Sequence, residues 1–268
     1  HYISFCRQRL LSWEEDLSAV VPAEDIHWFQ PVYQSYDQAC SALNMADFEE
    51  LVFRVVRLLA DDAAVCRALC KTYQYVFIDE YQDLNFAQYA LVQALCKDNH
   101  VLVIGDPDQS IYGFRGSDNI YFKQFETDFP GCVHVNLVKN YRSGQIILDA
   151  AFQMITRMDA NSNKARIISQ TRESRKVIIT ENRSETSEAV GIGKMIEALV
   201  GGTSFLSMDT RKENADGQKE YAFSDIAVLY RTARQGDVLK DQLQAAGIPV
   251  QRAVKKRILE TSGIRQLV

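Results

Sequence analysis

Asp79 and Glu80 stand side by side at the end of the apolar run Tyr75-Val76-Phe77-Ile78. Carboxylates so placed can do two kinds of chemistry: one can hold Mg²⁺ directly or through water, and its neighbour can take a proton from an attacking water. The plainer alternative is a solvated acidic turn after a core strand. A second set follows in Gly105-Asp106-Pro107-Asp108-Gln109-Ser110-Ile111-Tyr112-Gly113-Phe114-Arg115-Gly116-Ser117. Gln109 both donates and accepts, so it can register a phosphate oxygen or a water opposite Glu80. Tyr112, Phe114 and Arg115 offer two aromatic faces and a guanidinium, groups that stack unpaired bases and hold phosphates. Equally, the two rings could cover a sheet edge while Arg115 pairs with a loop acid. In Asn140-Tyr141-Arg142-Ser143 a ring and a guanidinium meet at a strand-to-helix turn, where they suit a nucleotide base and a γ-phosphate.

Regular elements must position these groups. Tyr75–Ile78 is apolar without alternation, which predicts a strand buried on both faces of a parallel sheet and ending where Asp79 begins. His100 to Ile104 predicts a second strand that also runs into an acid, Asp106. Between them Asn85 and Gln88 can cap a helix that reaches Cys96 and buries Ala90, Leu91, Ala94 and Leu95. Strand, helix, strand is the doubly wound pattern, and the right-handed crossover puts both acidic ends on the edge where such sheets bind ligands. Upstream, residues 1–46 predict helices broken at Pro22 and Pro31, with Trp13, Trp28, Phe29, Tyr33 and Tyr36 as packing residues. Asp47-Phe48-Glu49-Glu50 has capping-box spacing ahead of a helix whose apolar face is Leu51, Val55, Leu58 and Leu59. A short helix through Val65, Leu69 and Cys70 leads to the first strand.

Downstream, a helix over about 118–128 ends at Pro130-Gly131, a domain boundary on this reading. Val133, Val135 and Leu137 alternate as a strand, and a helix runs through Ile146, Ile147, Ala150 and Ala151. Strands are expected at 176–180, 225–230 and 248–254, with helices at 187–200 and 234–246, the latter stopped by Gly247 and Pro249. Residues 201–222 are read as a polar, Gly-containing loop. The basic stretch of Lys164, Arg166, Arg172, Arg175 and Lys176 is read as a solvated face.

The 268 residues, 47% hydrophobic and 24% charged, suit two domains with substantial cores. A net charge of −5 excludes a surface coated in basic groups, so any nucleic-acid contact must come from a local groove. No apolar run nears the roughly 18 residues that cross a bilayer, and the start lacks a signal-peptide layout. The 6 cysteines sit mostly in apolar patterns and are expected to be reduced. Cys66 and Cys70 have no second ligand pair and the 4 histidines are scattered, so no zinc site is expected. With His1 at one end and Val268 inside a helical pattern, the chain is expected to be an excised fragment.

In order and spacing, Asp79–Asp83, the loop from Gly105 to Gly116 and Asn140–Ser143 resemble motifs II, III and IV of superfamily-1 DNA helicases, the UvrD/Rep/PcrA group. Asp47-Phe48-Glu49-Glu50-Leu51, Asp225 to Arg231 and Ala246-Gly247-Ile248-Pro249 agree, so the similarity runs from about residue 40 to the end. The resemblance implies an α/β fold: two partial RecA-like, doubly wound parallel-sheet domains with a helical N-terminal piece. Residues 1–46 would be the helical tail of an inserted, 1B-like domain, 47–130 the second half of RecA-like domain 1A, and 131–268 the first part of domain 2A. It further implies an ATP-driven translocase that moves 3′ to 5′ on single-stranded DNA and separates duplexes. Its cofactors would be ATP and Mg²⁺, and its partners single-stranded DNA and duplex junctions. The implied setting is the bacterial cytoplasm at the nucleoid, with no membrane, and no protein partner is implied. Residue by residue, Asp79 would hold Mg²⁺, Glu80 would activate the attacking water, and Gln109 would sense the γ-phosphate. Tyr112, Phe114 and Arg115 would contact single-stranded DNA, Phe114 standing where the group often has Trp. Tyr141 would stack on adenine. Arg142 would be an arginine finger from the second RecA-like domain, a device worth about 10³–10⁵ in rate in related phosphoryl transfers.

Departures from the pattern shape the expectation. No Gly-x₄-Gly-Lys-Ser/Thr phosphate loop occurs; the near miss from Glu188 to Met195, around Gly193-Lys194, lacks the first Gly and the hydroxyl residue. The late motifs, with the second arginine finger, are absent as well. A piece that begins in the first inserted domain, ends near the second and is inactive alone is therefore expected. Alternatives are an AddA/RecB-type helicase–nuclease subunit, whose loop usually carries Lys in place of Asp108, and a non-catalytic single-strand-binding module. A metal-nuclease cluster of Asp79, Glu80 and Asp83 is disfavoured by the lack of a nearby His or Lys.

Overall fold

The computed structural model describes residues 1–97, 99–158, 165–172, 176–201 and 221–252. Its contacts divide the chain into His1–Arg175 and Lys176–Val268.

The first unit opens with α1 (Tyr2–Gln8) and α2 (Ala23–Ala42). Pro22 sits at the N-cap of α2, but Pro31, expected to break the helix, lies inside it. The lost N–H bond is outweighed by anchors on either side, since Phe29 and Tyr33 are buried together with Cys6, Leu17 and Val21. Helix α3 (Phe48–Asp61) starts on Asp47, whose carboxylate accepts the Glu50 N–H at 2.7 Å. The reciprocal half of the expected capping box does not form, because the Glu50 carboxylate is paired with Arg7 and Arg54 instead. Arg7, itself buried, also binds Asp37 and Asp47, so buried charge ties α1, α2 and α3 together. That pairing sets the rotation of α3. Glu50, Val56 and Leu59 face inward, while Leu51, Val55 and Leu58, expected on the core face with Leu59, are exposed.

Helix α4 (Ala63–Thr72) leads to β1 (Tyr75–Ile78), α5 (Phe86–Cys96) and β2 (His100–Val103). The strands pair in parallel, from Tyr75 opposite His100 to Ile78 opposite Val103. Asn85 and Gln88 complete a full capping box at the start of α5. Every residue of α5 is at least half-buried, with Ala87, Val92 and Cys96 the deepest, in place of the four residues expected. Val76, Ile78, Val101 and Val103 pack on a core of Tyr81, Val92, Cys96 and, from α6 (Ile120–Asp128), Tyr121 and Phe125. On the opposite face Tyr75, Phe77, Leu102 and Ile104 remain exposed. The expectation of two covered faces is thus corrected: an unbroken apolar run does not distinguish one covered face from two.

Beyond α6, β3 (Lys139–Asn140), α7 (Gln145–Met158) and β4 (Ile168–Ser169) form a second parallel strand–helix–strand unit. The strand expected at Val133–Leu137 does not form. Those apolar residues are exposed, because among the described residues pairing begins only at Lys139. Arg166, in the basic stretch, bonds Asp149 at 2.7 Å, while Lys164 and Arg175 lie outside the described residues.

In the second unit α8 (Glu185–Leu199) and α9 (Ala233–Ala245) meet over Ile196, Leu243 and Ile248. Ser184 and Thr232 supply capping boxes, and Gly247, at φ 77°, ends the α9 segment as expected. The strands expected at 176–180, 225–230 and 248–252 find no partner among the described residues, and Ile179 and Leu229 are almost fully exposed. An apolar segment cannot become a strand without a neighbour to bond. Most of the expected polar loop (202–220) and the end of the last expected strand (253–254) lie outside the described residues. Among those described, no helix is long and apolar enough to cross a membrane.

Candidate functional site

Because β1 and β2 are parallel, their carboxyl ends share one edge. Asp79 and Glu80 emerge there, both exposed. Glu80 adopts the left-handed conformation, φ 51° and ψ 43°, which residues other than glycine avoid unless their surroundings impose it. The bend turns the chain into a single 3₁₀ turn, Tyr81–Asp83, which leads towards α5. Tyr81 N–H bonds the Ile104 carbonyl at 3.0 Å, extending the ladder past the strand, and its ring is fully buried. Burial pushes the Tyr81 phenol up to about 12. Burial, then the Glu80 charge, also raises the Asp83 carboxyl above its ordinary value.

Gln82 joins the two strand ends. Its side chain is buried, its Nε2 donates to Glu80 Oε2 at 2.7 Å, and its Oε1 accepts the Asp106 N–H at 3.0 Å. Asp106 in turn accepts from Gln109 Nε2 at 2.7 Å and from the Asp108 N–H at 3.1 Å. Glu80, Gln82, Asp106 and Gln109 therefore form one continuous chain of hydrogen bonds. Gly105 makes room for it: a Cβ there would lie 2.5 Å from Gln82 Oε1 and 2.9 Å from the Phe122 ring. Of the residues expected to act on a nucleotide, Asp79, Glu80 and Gln109 are thus brought to one edge. The linking roles of Gln82 and Asp106 were missed; the available signal was an uncharged amide set among Asp79, Glu80 and Asp83.

The loop after β2 is tied back to the same turn. Ser117 Oγ donates to the Asp83 carbonyl at 2.6 Å, and the Asp118 N–H bonds the Leu84 carbonyl at 3.1 Å. On this loop the Tyr112 and Phe114 ring centroids are 6.1 Å apart, and Arg115 Cζ lies 5.1 Å from the first and 5.6 Å from the second. Arg115 rests on the two rings and is in no ion pair among the described residues, unlike the alternative in which it neutralises a loop acid. All three side chains are exposed.

Tyr141 and Arg142 follow β3. Asn140 Oδ1 accepts the N–H groups of Arg142 at 2.9 Å and Ser143 at 2.7 Å, an Asx turn that breaks the strand before α7 begins. Both side chains are exposed, and among the described residues neither hydrogen-bonds to Asp79, Glu80 or Gln109. No group of three or more His, Cys, Asp or Glu among the described residues is arranged to hold a metal ion. Asp79 nevertheless suits Mg²⁺, which takes only one or two protein carboxylates beside phosphate and water. Its carboxylate is exposed, and Oδ1 is oriented by the Glu80 N–H at 3.0 Å.

Residues 1–130 match the family model of the UvrD/REP helicase N-terminal domain, and residues 135–268 that of the UvrD-like helicase C-terminal domain. The chain belongs to the UvrD-like helicase family. It is 32% identical over 245 residues to the proteins named ATP-dependent DNA helicase UvrD1 of Mycobacterium tuberculosis and Mycobacterium bovis, covering 88% of this chain and 30% of each relative. It is 31% identical over 238 residues to ATP-dependent DNA helicase PcrA of Staphylococcus aureus, with the same coverage. This UvrD-like chain thus spans about 30% of the length of the curated relatives it matches. The resemblance carried by the three motifs and the mixed α/β fold with a helical N-terminal region both stand.

Proposed function

We propose that the chain is the central part of an ATP-dependent helicase that moves 3′ to 5′ along single-stranded DNA and separates duplexes, in the bacterial cytoplasm at the nucleoid. Residues 1–46 close an inserted helical domain, 47–130 belong to one RecA-like domain and 131–268 to the next. The hydrogen-bonded line from Glu80 through Gln82 and Asp106 to Gln109 at the carboxyl edge of two parallel strands supports this most directly.

In the hydrolytic step, water attacks the γ-phosphorus while Glu80 takes its proton, the bond to the bridging oxygen breaks, and ADP leaves. Gln82 engages Glu80 Oε2, which leaves Oε1 to receive that proton. Asp79 would hold Mg²⁺, whose charge would offset that of the phosphates. Gln109, tied to Asp106 Oδ2 in this structure, exchanges that bond for a γ-phosphate oxygen when nucleotide is present. Arg142 supplies positive charge to the same phosphate and Tyr141 stacks on adenine, both free in side chain to do so on the rigid Asx turn. Tyr112, Phe114 and Arg115 hold the single strand, linking the nucleotide edge to DNA through one short loop. The 268 residues contain no phosphate loop, so we assign turnover to the longer protein and none to this chain alone.

The test is Glu80→Gln in the full-length protein. Nucleotide binding is expected to persist while DNA-stimulated ATPase falls by about 10²–10⁴-fold, the usual contribution of a positioned base. Unchanged turnover would refute the role.

A further inference from the structure

We infer that Gln82 is a positioning residue for hydrolysis: its side-chain amide locks the Glu80 carboxylate to the end of the neighbouring strand. The inference rests on the base role proposed for Glu80 and adds a residue to it.

Three observations converge. Gln82 is 1% exposed, and both ends of its amide are spent on polar groups of the site edge. The direction of the amide is fixed by its neighbours, because a carboxylate oxygen can only accept and a backbone N–H can only donate. Turning the amide over would set donor against donor and acceptor against acceptor, so Gln82 offers Glu80 a single N–H direction. Lastly, the Glu80 carboxylate is exposed and hangs on three side-chain torsions, so an external tether is needed to hold one orientation. Exposed Glu80 would otherwise sample several rotamers, and a general base off its line by about 1 Å can lose on the order of 10²-fold in rate.

The far end of the amide gives the tether its stiffness. Gln82 Oε1 is held by the Asp106 N–H at 3.0 Å, and the Gln82 carbonyl accepts from Ser110 Oγ at 3.3 Å. The orientation of Glu80 is thereby referred to the segment that carries Gln109.

In the full-length protein, Gln82→Leu removes both bonds at similar volume. Its DNA-stimulated kcat is expected to fall about 10- to 100-fold, with KM for ATP and affinity for a single-stranded oligonucleotide within about threefold of the parent. A general loss of fold would move all three together. The deciding measurement is the double variant Glu80→Gln/Gln82→Leu, read as a single-turnover rate with enzyme in excess. If Gln82 acts through Glu80, the double variant is no slower than Glu80→Gln alone. Multiplying losses, or a Gln82→Leu protein at the parental rate, overturns the assignment. Should Gln82→Leu not fold, Gln82→Glu replaces it: it retains an acceptor for Asp106 and presents Glu80 with a second carboxylate in place of a donor. It is expected to lose kcat comparably, and parental turnover in it is equally decisive against Gln82. If Glu80→Gln itself turns over normally, the base role fails; if Glu80→Gln is inactive while the Gln82 variants are unaffected, only the role of Gln82 falls.

Discussion

Phe114→Ala separates stacking from packing. The ring is 65% exposed, so about a third of its area is covered. At about 25 cal/mol per Å² on a side chain of roughly 175 Å², truncation removes at most about 1.5 kcal/mol of burial, which leaves the folded state dominant. A base stacked on the exposed face is worth about 1–3 kcal/mol, or roughly 5- to 150-fold in Kd. The two effects are read by different assays. Fluorescence anisotropy of a labelled single-stranded oligonucleotide with the full-length protein reports the second, and a thermal melt the first. Ionic strength must be matched, since phosphate contacts weaken steeply with salt. Phe114→Trp should bind at least as well as the parent, because either ring presents a π-face. Arg115→Gln should instead flatten the salt dependence by about 0.7 in the log–log slope if it meets one phosphate. Phe114→Ala within twofold of parental affinity, alongside a weakened Arg115→Gln, would show that the ring only supports the guanidinium and would end the stacking argument.

Two further outcomes are expected. Arg7→Met strands the buried Glu50 carboxylate with Arg54 as its remaining partner and should destabilise the chain by about 3–5 kcal/mol in urea titration; adding Glu50→Gln should recover part of the loss, and no recovery would show that charge is not its source. Burial pushes the Cys6 and Cys96 thiols up to about 11, so near pH 8 iodoacetamide should leave both unmodified in the folded chain, and labelling as fast as in urea would contradict their burial.

What could be read in the residues follows how local the physics is. Asn85 with Gln88 and Gly247 with Pro249 act within a few residues, and the helix starts and stops they signal are present. The Asp79 and Asp106 ends of two strands were legible because an apolar run must stop where a carboxylate begins. Long-range choices were not. Leu51, Val55 and Leu58 and the pair Val56 and Leu59 each offered α3 an apolar side, and the decision came from Arg7, on another helix, drawing Glu50 inward. Pro31 stayed inside α2 because tertiary anchors outweighed its local preference. Val133–Leu137 and Lys176–Thr180 have strand composition, but pairing depends on a neighbour, and composition does not reveal whether one is there. At the site the charged and aromatic groups announced themselves. Gln82 did not, since a buried amide gains its meaning only from what lies at its two ends.

The missing side chain at Gly105 binds the histories of two distant stretches. A lineage that acquired even a methyl group there would crowd the amide at Gln82 and the ring at Phe122 together, so relief would demand change both in the turn after β1 and in α6. Drift at Gly105 is therefore policed by residues far from it in the chain, so descendants that vary there should carry compensating changes at Gln82 and Phe122.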